Sequence, residues 1–275
     1  MKELPIHKLR PFEGHPFKVI DNEEMKQLTE SIQTQGLLTP LVVRPLANGT
    51  YEVISGHRRL YACKKAGIEM VPALIVEMDR DAAAIALVDS NLHREHILPS
   101  EKAFAYKLKR DALSHQGKTS HQVGEKLPTA AMIGKDSGDS MNQVLRYIRL
   151  TNLIPGILEM VDEGKIALTP AVELSYLGEW EQRDLLETME SEDCTPSLSQ
   201  AMLLKATSQA GQLTMDKIFT IMTQPKPNQQ EKISFKVSEI RDYFPRGYTA
   251  SQMTRDILKG LELLRQQRQR NRDAR

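Results

Sequence analysis

The chain has 275 residues, 40% hydrophobic and 27% charged, with a net charge of +1. That length allows two or three small folded domains, and the near balance of charge makes any surface for nucleic acid a local one. The two cysteines form no metal or redox motif, and no apolar run is long enough to span a bilayer; with no signal-peptide pattern, the chain is expected in the cytoplasm, away from membranes.

The first hundred residues mix strand and helix patterns. "DNEEMKQLTESIQTQG" predicts a helix capped by Asp21, with Glu24 three residues on, an apolar face of Met25, Leu28 and Ile32, and a stop at Gly36. "LVVRP" and "YEVIS" predict strands joined by the turn "LANG". Gly56 ends the second strand. A helix with Leu60, Cys63 and Ala66 on one side follows and closes at Gly67. "VPALIV" predicts a third strand, and "DAAAIALVDSNLHREHI" a helix started by Asp81. This order makes an α+β domain.

Beyond Pro99 the strand signals almost vanish. Pro99 predicts a helix start, with Phe104, Leu108 and Ala112 on one side. Ser114 to Pro128 is polar and broken and reads as a loop or insert. "TAAMIG" and "DSMNQVLRYIRL" predict two short helices around the turn "KDSGDS". Pro155 and Pro170 open further helices, and helical periodicity runs to about Thr223. "QPKPNQQ" predicts a linker. A mixed module, "EKISFKVSEIRDYFP", leads to a last helix with a capping box from Thr249 to Gln252 and a stripe of Met253, Ile257, Leu261 and Leu264.

Three segments carry chemistry. At Gly56-His57-Arg58-Arg59 a strand gives way to a helix. Unpaired N–H groups and the helix dipole favour an anion there, a glycine lets it approach, and two arginines add forked donors. The alternative is a glycine turn followed by solvated arginines. In "DSNLHREHILPSEKA", Asn91 and Arg94 share a helical face. A metal reading of His93 and His96 lacks the HExxH pattern and a third ligand, so no metal site is assigned. Third, "TAAMIGKDSGDSMNQVLRYIRL" matches a helix-turn-helix unit. Val144, Leu145 and Ile148 are expected inward. Asn142, Gln143, Arg146 and Arg149 are expected outward, where they suit base edges and phosphates.

In this order the motifs resemble those of the ParB family of chromosome and plasmid partition proteins. The matching stretches are "GLLTPLVVRP", "YEVISGHRRLYACKKAG", "VDSNLHREHILPSEKAFAY" and "SMNQVLRYIRLTNLIPGILEMVDEGKIAL", within roughly residues 5–180. The resemblance implies an α+β ParB-like domain over 1–98, an all-α helix-turn-helix domain over 99–223, and a linker with a small C-terminal helical module over 224–275. It implies CTP as the nucleotide, with or without Mg²⁺, bound through Gly36, Arg44, Ser55, Gly56, His57, Arg58, Arg59, Asn91 and Arg94. It implies that Lys135, Ser140, Asn142, Gln143, Arg146 and Arg149 meet double-stranded DNA at a palindromic, centromere-like site. A homodimer closing as a CTP-controlled sliding clamp follows from the family, as does a ParA-type ATPase partner.

The sequence departs from the family pattern at named places. His57 stands where the turn usually has Glu, Ser90 and His93 where the second motif has Glu and Gln, and His15-Pro16-Phe17 where Gln-Pro-Arg is usual. Fewer carboxylates weaken any Mg²⁺ site, so CTP hydrolysis is expected to be slow or absent, and no catalytic residue is assigned. The matching core begins almost at Met1, so the family's basic leader, which touches the ATPase, is expected to be nearly missing. Two other readings fit the parts: a transcription regulator of a plasmid or mobile element, and an enzyme of sulfiredoxin-like fold. The enzyme needs a reactive cysteine or carboxylate base near the turn, where His57 stands and where Cys63 falls on the core stripe.

Overall fold

The computed structural model describes residues 1–92, 94, 96–117, 129–224, 240–245 and 247–273. It divides into one unit from Met1 to Gln224 and a second from Pro225 to Arg275.

The first unit opens with a sheet of order β1-β5-β3-β4-β2. These strands are β1 (Lys2–Pro5), β2 (Leu9–Pro11), β3 (Leu41–Pro45), β4 (Tyr51–Ser55) and β5 (Met70–Ile75). β1 runs antiparallel to β5, pairing Lys2 with Ala73, and β2 runs parallel to β4, pairing Leu9 with Tyr51. The central β3 is antiparallel to β4 and parallel to β5. Only the three inner strands are legible from β-branched runs. β1 and β2 are short, contain proline and charge, and form the two edges, where a residue lacking an N–H can sit without breaking the ladder.

Successive residues of β4 face opposite sides, and both sides are covered. Val53 joins Leu41, Val43, Val71 and Ala73 against Met25 and Ile32 of α1 (Glu23–Gln35) and Leu60 and Cys63 of α2 (His57–Lys65). Ile54 packs instead with Ala83, Ala84, Leu87 and Val88 of α3 (Arg80–Asp89). That second core continues through Ala105, Tyr106 and Ala112 of α4 (Pro99–Gly117) to Ala130 and Ile133 of α5 (Thr129–Ser137) and Val144 and Ile148 of α6 (Met141–Arg149). A third core, from Leu150 to Met222, gathers α7 (Pro155–Asp162), α8 (Leu168–Leu174), α9 (Glu179–Ser191), α10 (Leu198–Gln209) and α11 (Met215–Met222).

Several local expectations need correction. Asn22, not Asp21, caps α1, its Oδ1 accepting from Met25 N–H at 3.1 Å; Asp21 is drawn instead to Lys65 Nζ at 2.7 Å. Glu24 does not complete a capping box but pairs with Arg58. Asp79 rather than Asp81 caps α3, which ends at Asp89 and leaves Asn91 and Arg94 on the segment beyond it. On α4 the inward face is Ala105, Tyr106, Lys109 and Ala112, while Phe104 is exposed. Lys109 is carried inside because Asp89 and Asp136 each meet its Nζ at 2.6 Å. α4 extends to Gly117, so the expected loop does not begin at Ser114; residues 118–128 lie outside the described residues. α5 runs to Ser137, leaving a turn shorter than "KDSGDS". Leu145 points out of α6 rather than in, and Pro170 is the third residue of α8, not its first.

The second unit is described from Ile240. Its helix α12 (Ala250–Asp273) opens on the expected capping box, with Thr249 N–H donating to Gln252 Oε1 at 2.9 Å. Met253 is buried, whereas Leu261 and Leu264 are exposed in the single chain. The linker and most of the mixed module lie outside the described residues.

Candidate functional site

The junction of β4 and α2 is built around Gly56. Its φ is 103°, and a Cβ there would lie 2.6 Å from Leu41 Cδ2, so both backbone and space require glycine. The first intrahelical bond of α2 is Leu60 N–H to Gly56 O at 2.8 Å. The N–H groups of His57, Arg58 and Arg59 precede it and have no helical acceptor, so they present the positive end of the helix.

Beside this turn is a cleft of about 760 Å³. Arg58 and Asn22 line it on one side, and Arg94, Leu98 and Glu101 on the other. Arg58 is held by Glu24 at 2.9 Å, and the Arg94 guanidinium lies 5.4 Å from the Phe17 ring centre. Glu101 is buried and accepts the N–H groups of Lys18 at 2.7 Å and Leu98 at 3.0 Å. Lys18 Nζ reaches Asp162 of α7 at 3.1 Å, and Asp162 also takes the Ser100 N–H and hydroxyl. The cleft wall is thereby fastened to the helical core.

Under the turn two histidines stack, with ring centres 3.7 Å apart and planes tilted by 39°. His57 Nε2 accepts the Phe12 N–H at 3.3 Å. His15 Nδ1 lies 2.7 Å from the Phe17 carbonyl and so carries the hydrogen, which leaves its Nε2 lone pair buried without a partner among the described residues. Burial first, then His15 and Arg94, push the His57 imidazole down to about 3. It is neutral at neutral pH. Burial lowers His15 as well, against the raising effect of the Phe17 bond.

The second region of interest is the pair α5 and α6. Gly134 has no room for a Cβ, which would collide with the Asp139 carbonyl, so the turn closes tightly on α5. Ser140 caps α6, its hydroxyl accepting from Gln143 N–H at 3.2 Å. α6 buries Val144 and Ile148 and exposes Asn142 at its start. Arg146 donates to Thr169 Oγ1 at 2.6 Å. Arg149 donates to the Ser175 hydroxyl and carbonyl, both at 3.2 Å, and lies 3.8 Å over the Tyr176 ring.

Residues 1–92 match the family model of the ParB N-terminal domain. A probable chromosome-partitioning protein ParB of Vibrio cholerae is 30% identical over 265 residues, which cover 96% of this chain and 85% of that protein. The chain belongs to the ParB family. Spo0J, a chromosome-partitioning protein of Thermus thermophilus, is 35% identical over 189 residues, 67% of this chain and 64% of that one. A nucleoid occlusion protein of Listeria innocua is 32% identical over 190 residues, covering 68% and 62% respectively. Among solved structures, truncated ParB of Caulobacter crescentus complexed to the centromeric parS site aligns at 22% identity with a TM-score of 0.43, over 75% of this chain and all of that one.

In this ParB-family chain the residues singled out in the sequence are only partly brought together. Arg58 and Arg94 meet in one cleft beside the Gly56 turn. Arg59 turns away, donating to the carbonyls of Thr39 at 2.6 Å and Pro40 at 3.0 Å, so it secures the entry to β3. Arg44 is spent on Glu52 of the neighbouring strand at 2.7 Å. Asn91 is buried and bonds back to the Leu87 carbonyl at 2.7 Å, ending α3. Ser55 closes β4, and Gly36 ends α1 with φ 73°. His57 is under the turn, not in the cleft lining. His93 and Glu95 lie outside the described residues. Lys135 is exposed in the last turn of α5. Lys18 and Glu101 were missed; nothing in their local pattern marks them, because long-range bonds place them. Among the described residues, no helix is long and apolar enough to cross a membrane, and no three His, Cys, Asp or Glu side chains gather as a metal site.

Proposed function

We propose that the chain is a DNA-binding partition protein whose first 98 residues bind CTP and whose α5–α6 pair is a helix-turn-helix that reads a palindromic site. In this reading residues 99–223 form the DNA-binding domain and 224–275 a linker and dimerising module. CTP controls closure of a homodimeric clamp on DNA, and the protein is nucleoid- or plasmid-associated, with a ParA-type ATPase as partner. The observation that carries the proposal is the meeting of Arg58 and Arg94 across one cleft beside a glycine-started helix. Free N–H groups, two guanidiniums and Lys18 supply what a triphosphate needs: directed donors and neutralising charge. Glu24 and Glu101 are the carboxylates in the lining, and both already hold partners, so they offer little to Mg²⁺; phosphate oxygens would supply most of its ligands.

On α6, Ser140, Asn142 and Gln143 lie at the end that a recognition helix presents to base edges. Two measurements test the proposal. Titration calorimetry is expected to give tighter binding for CTP than for ATP, GTP or UTP; equal binding of all four overturns the nucleotide assignment. Selection from random duplexes is expected to return one palindrome, with a preference that Gln143→Ala flattens by about 1–3 kcal/mol. If the wild-type protein selects no palindrome, the centromere reading fails. If Gln143→Ala selects as stringently as wild type, the reading face of α6 is misassigned.

A further inference from the structure

On the side of α6 that carries Arg146 and Arg149 there is a second cleft, of about 380 Å³. α4 supplies Lys107 and Arg110 to it, α6 supplies Arg146 and Arg149, and Tyr176 just beyond α8 closes one side. Its lining holds four cations and no carboxylate. Lys107 and Arg110 are three apart on one helix and so share a face. Arg110 has a counter-ion outside the lining, Asp111 at 3.1 Å, whereas Lys107 forms no side-chain ion pair or hydrogen bond with the described residues. Ser175 holds Arg149 and Tyr176 lies beneath it. Lys205 Nζ is also 3.8 Å from the Tyr176 ring centre, but its charge is paired with Glu173 of α8 at 2.8 Å.

With Arg110 paired to Asp111 and no carboxylate in the lining, the cleft keeps a net positive charge that an anion relieves. We infer that this cleft takes a backbone phosphate of duplex DNA, and that Lys107 and Arg110 are phosphate donors beyond the helix-turn-helix itself. The occupant follows from position. One wall of the cleft is the flank of α6, so a duplex lying along α6 brings a phosphate to the other wall. The inference rests on the DNA reading of α6 given above. It adds that α4 belongs to the interface and contributes affinity without sequence preference.

The test is fluorescence anisotropy with the selected palindrome and a random duplex, each over a series of salt concentrations, for wild type, Lys107→Ala, Arg110→Ala and the double variant. Each single substitution is expected to weaken both duplexes by the same factor and to flatten the salt slope by about one unit, the double variant by about two. Lys107→Arg is expected to keep the wild-type slope. Nucleotide binding at the Arg58 cleft serves as the folding control and is expected not to change. Unaltered slopes in a wild type that does select a palindrome overturn this inference alone. A loss confined to the palindrome overturns it too, since that is base reading. A loss of nucleotide affinity in step with DNA affinity marks a folding effect and counts against it. A wild type that selects no palindrome removes the reading of α6 on which it stands.

Discussion

The two clefts of the first unit are both basic, yet they are built differently. The one beside Gly56 mixes signs: Arg58 carries Glu24, Lys18 is tied to Asp162, and Glu101 is buried in the wall. The one between α4 and α6 has cations only. A cleft with its own counter-ions must exchange partners when a ligand enters, so part of the gross attraction goes into breaking an existing pair. That arrangement suits selective, reversible binding. A cleft lined by cations, with Asp111 paired to Arg110 outside the lining, attracts any anion at long range and is screened by salt.

The largest expected effect comes from Gly56. Gly56→Ala must hold a left-handed conformation and push its Cβ into Leu41; together these cost about 3 kcal/mol. A denaturant melt is expected to show that loss along with the loss of nucleotide binding. An unchanged melt means the turn can relax.

Arg58→Ala and Arg94→Ala are next. Each is expected to weaken CTP binding by about 1.5–3 kcal/mol in calorimetry, the worth of a charge-assisted bond. Arg59→Ala is expected to act mainly on stability, because its guanidinium serves the Thr39 and Pro40 carbonyls. If Arg59→Ala costs nucleotide affinity without costing stability, then Arg59 leaves those carbonyls when the ligand arrives.

The buried histidines give a pH signature that the second cleft lacks. With His57 pushed from its ordinary value near 6.5 to about 3, the unfolded chain binds the proton over that interval and the folded one does not. Stability is therefore full above about pH 6.5 and falls as the pH drops towards 3, by up to about 1.4 kcal/mol per pH unit for this proton. Melts of wild type and His57→Gln across this range are expected to diverge, the variant being flatter. Parallel curves would place the acid sensitivity elsewhere.

The smallest effect is expected at Glu24. Glu24→Gln releases Arg58 from an exposed pair worth about 0.2–1 kcal/mol. CTP affinity is expected to rise by that amount, and discrimination against other polyphosphates to fall. Weaker CTP binding would mean that Glu24 positions Arg58 rather than competing for it.

Local structure follows from the pattern of neighbouring residues. Val- and Ile-rich runs specified β3, β4 and β5, helix periodicity and a proline specified α4 and α7, and a capping box specified the start of α12. The turn pattern and the family resemblance singled out Gly56, Arg58 and Arg94, and folding brings the two arginines to one cleft beside the turn. The tertiary structure decided the rest. Edge strands β1 and β2 exist because the sheet pairs them, not because three or four proline-bearing residues prefer extension. The choice of Asn22 over Asp21 depended on Lys65, 44 residues away. Arg59 left the cleft, and Lys18 and Glu101 entered its wall, through bonds spanning 20 and 83 residues. A side chain's partner is set by what folding carries within 3 Å of it, and no pattern of neighbours in sequence contains that distance.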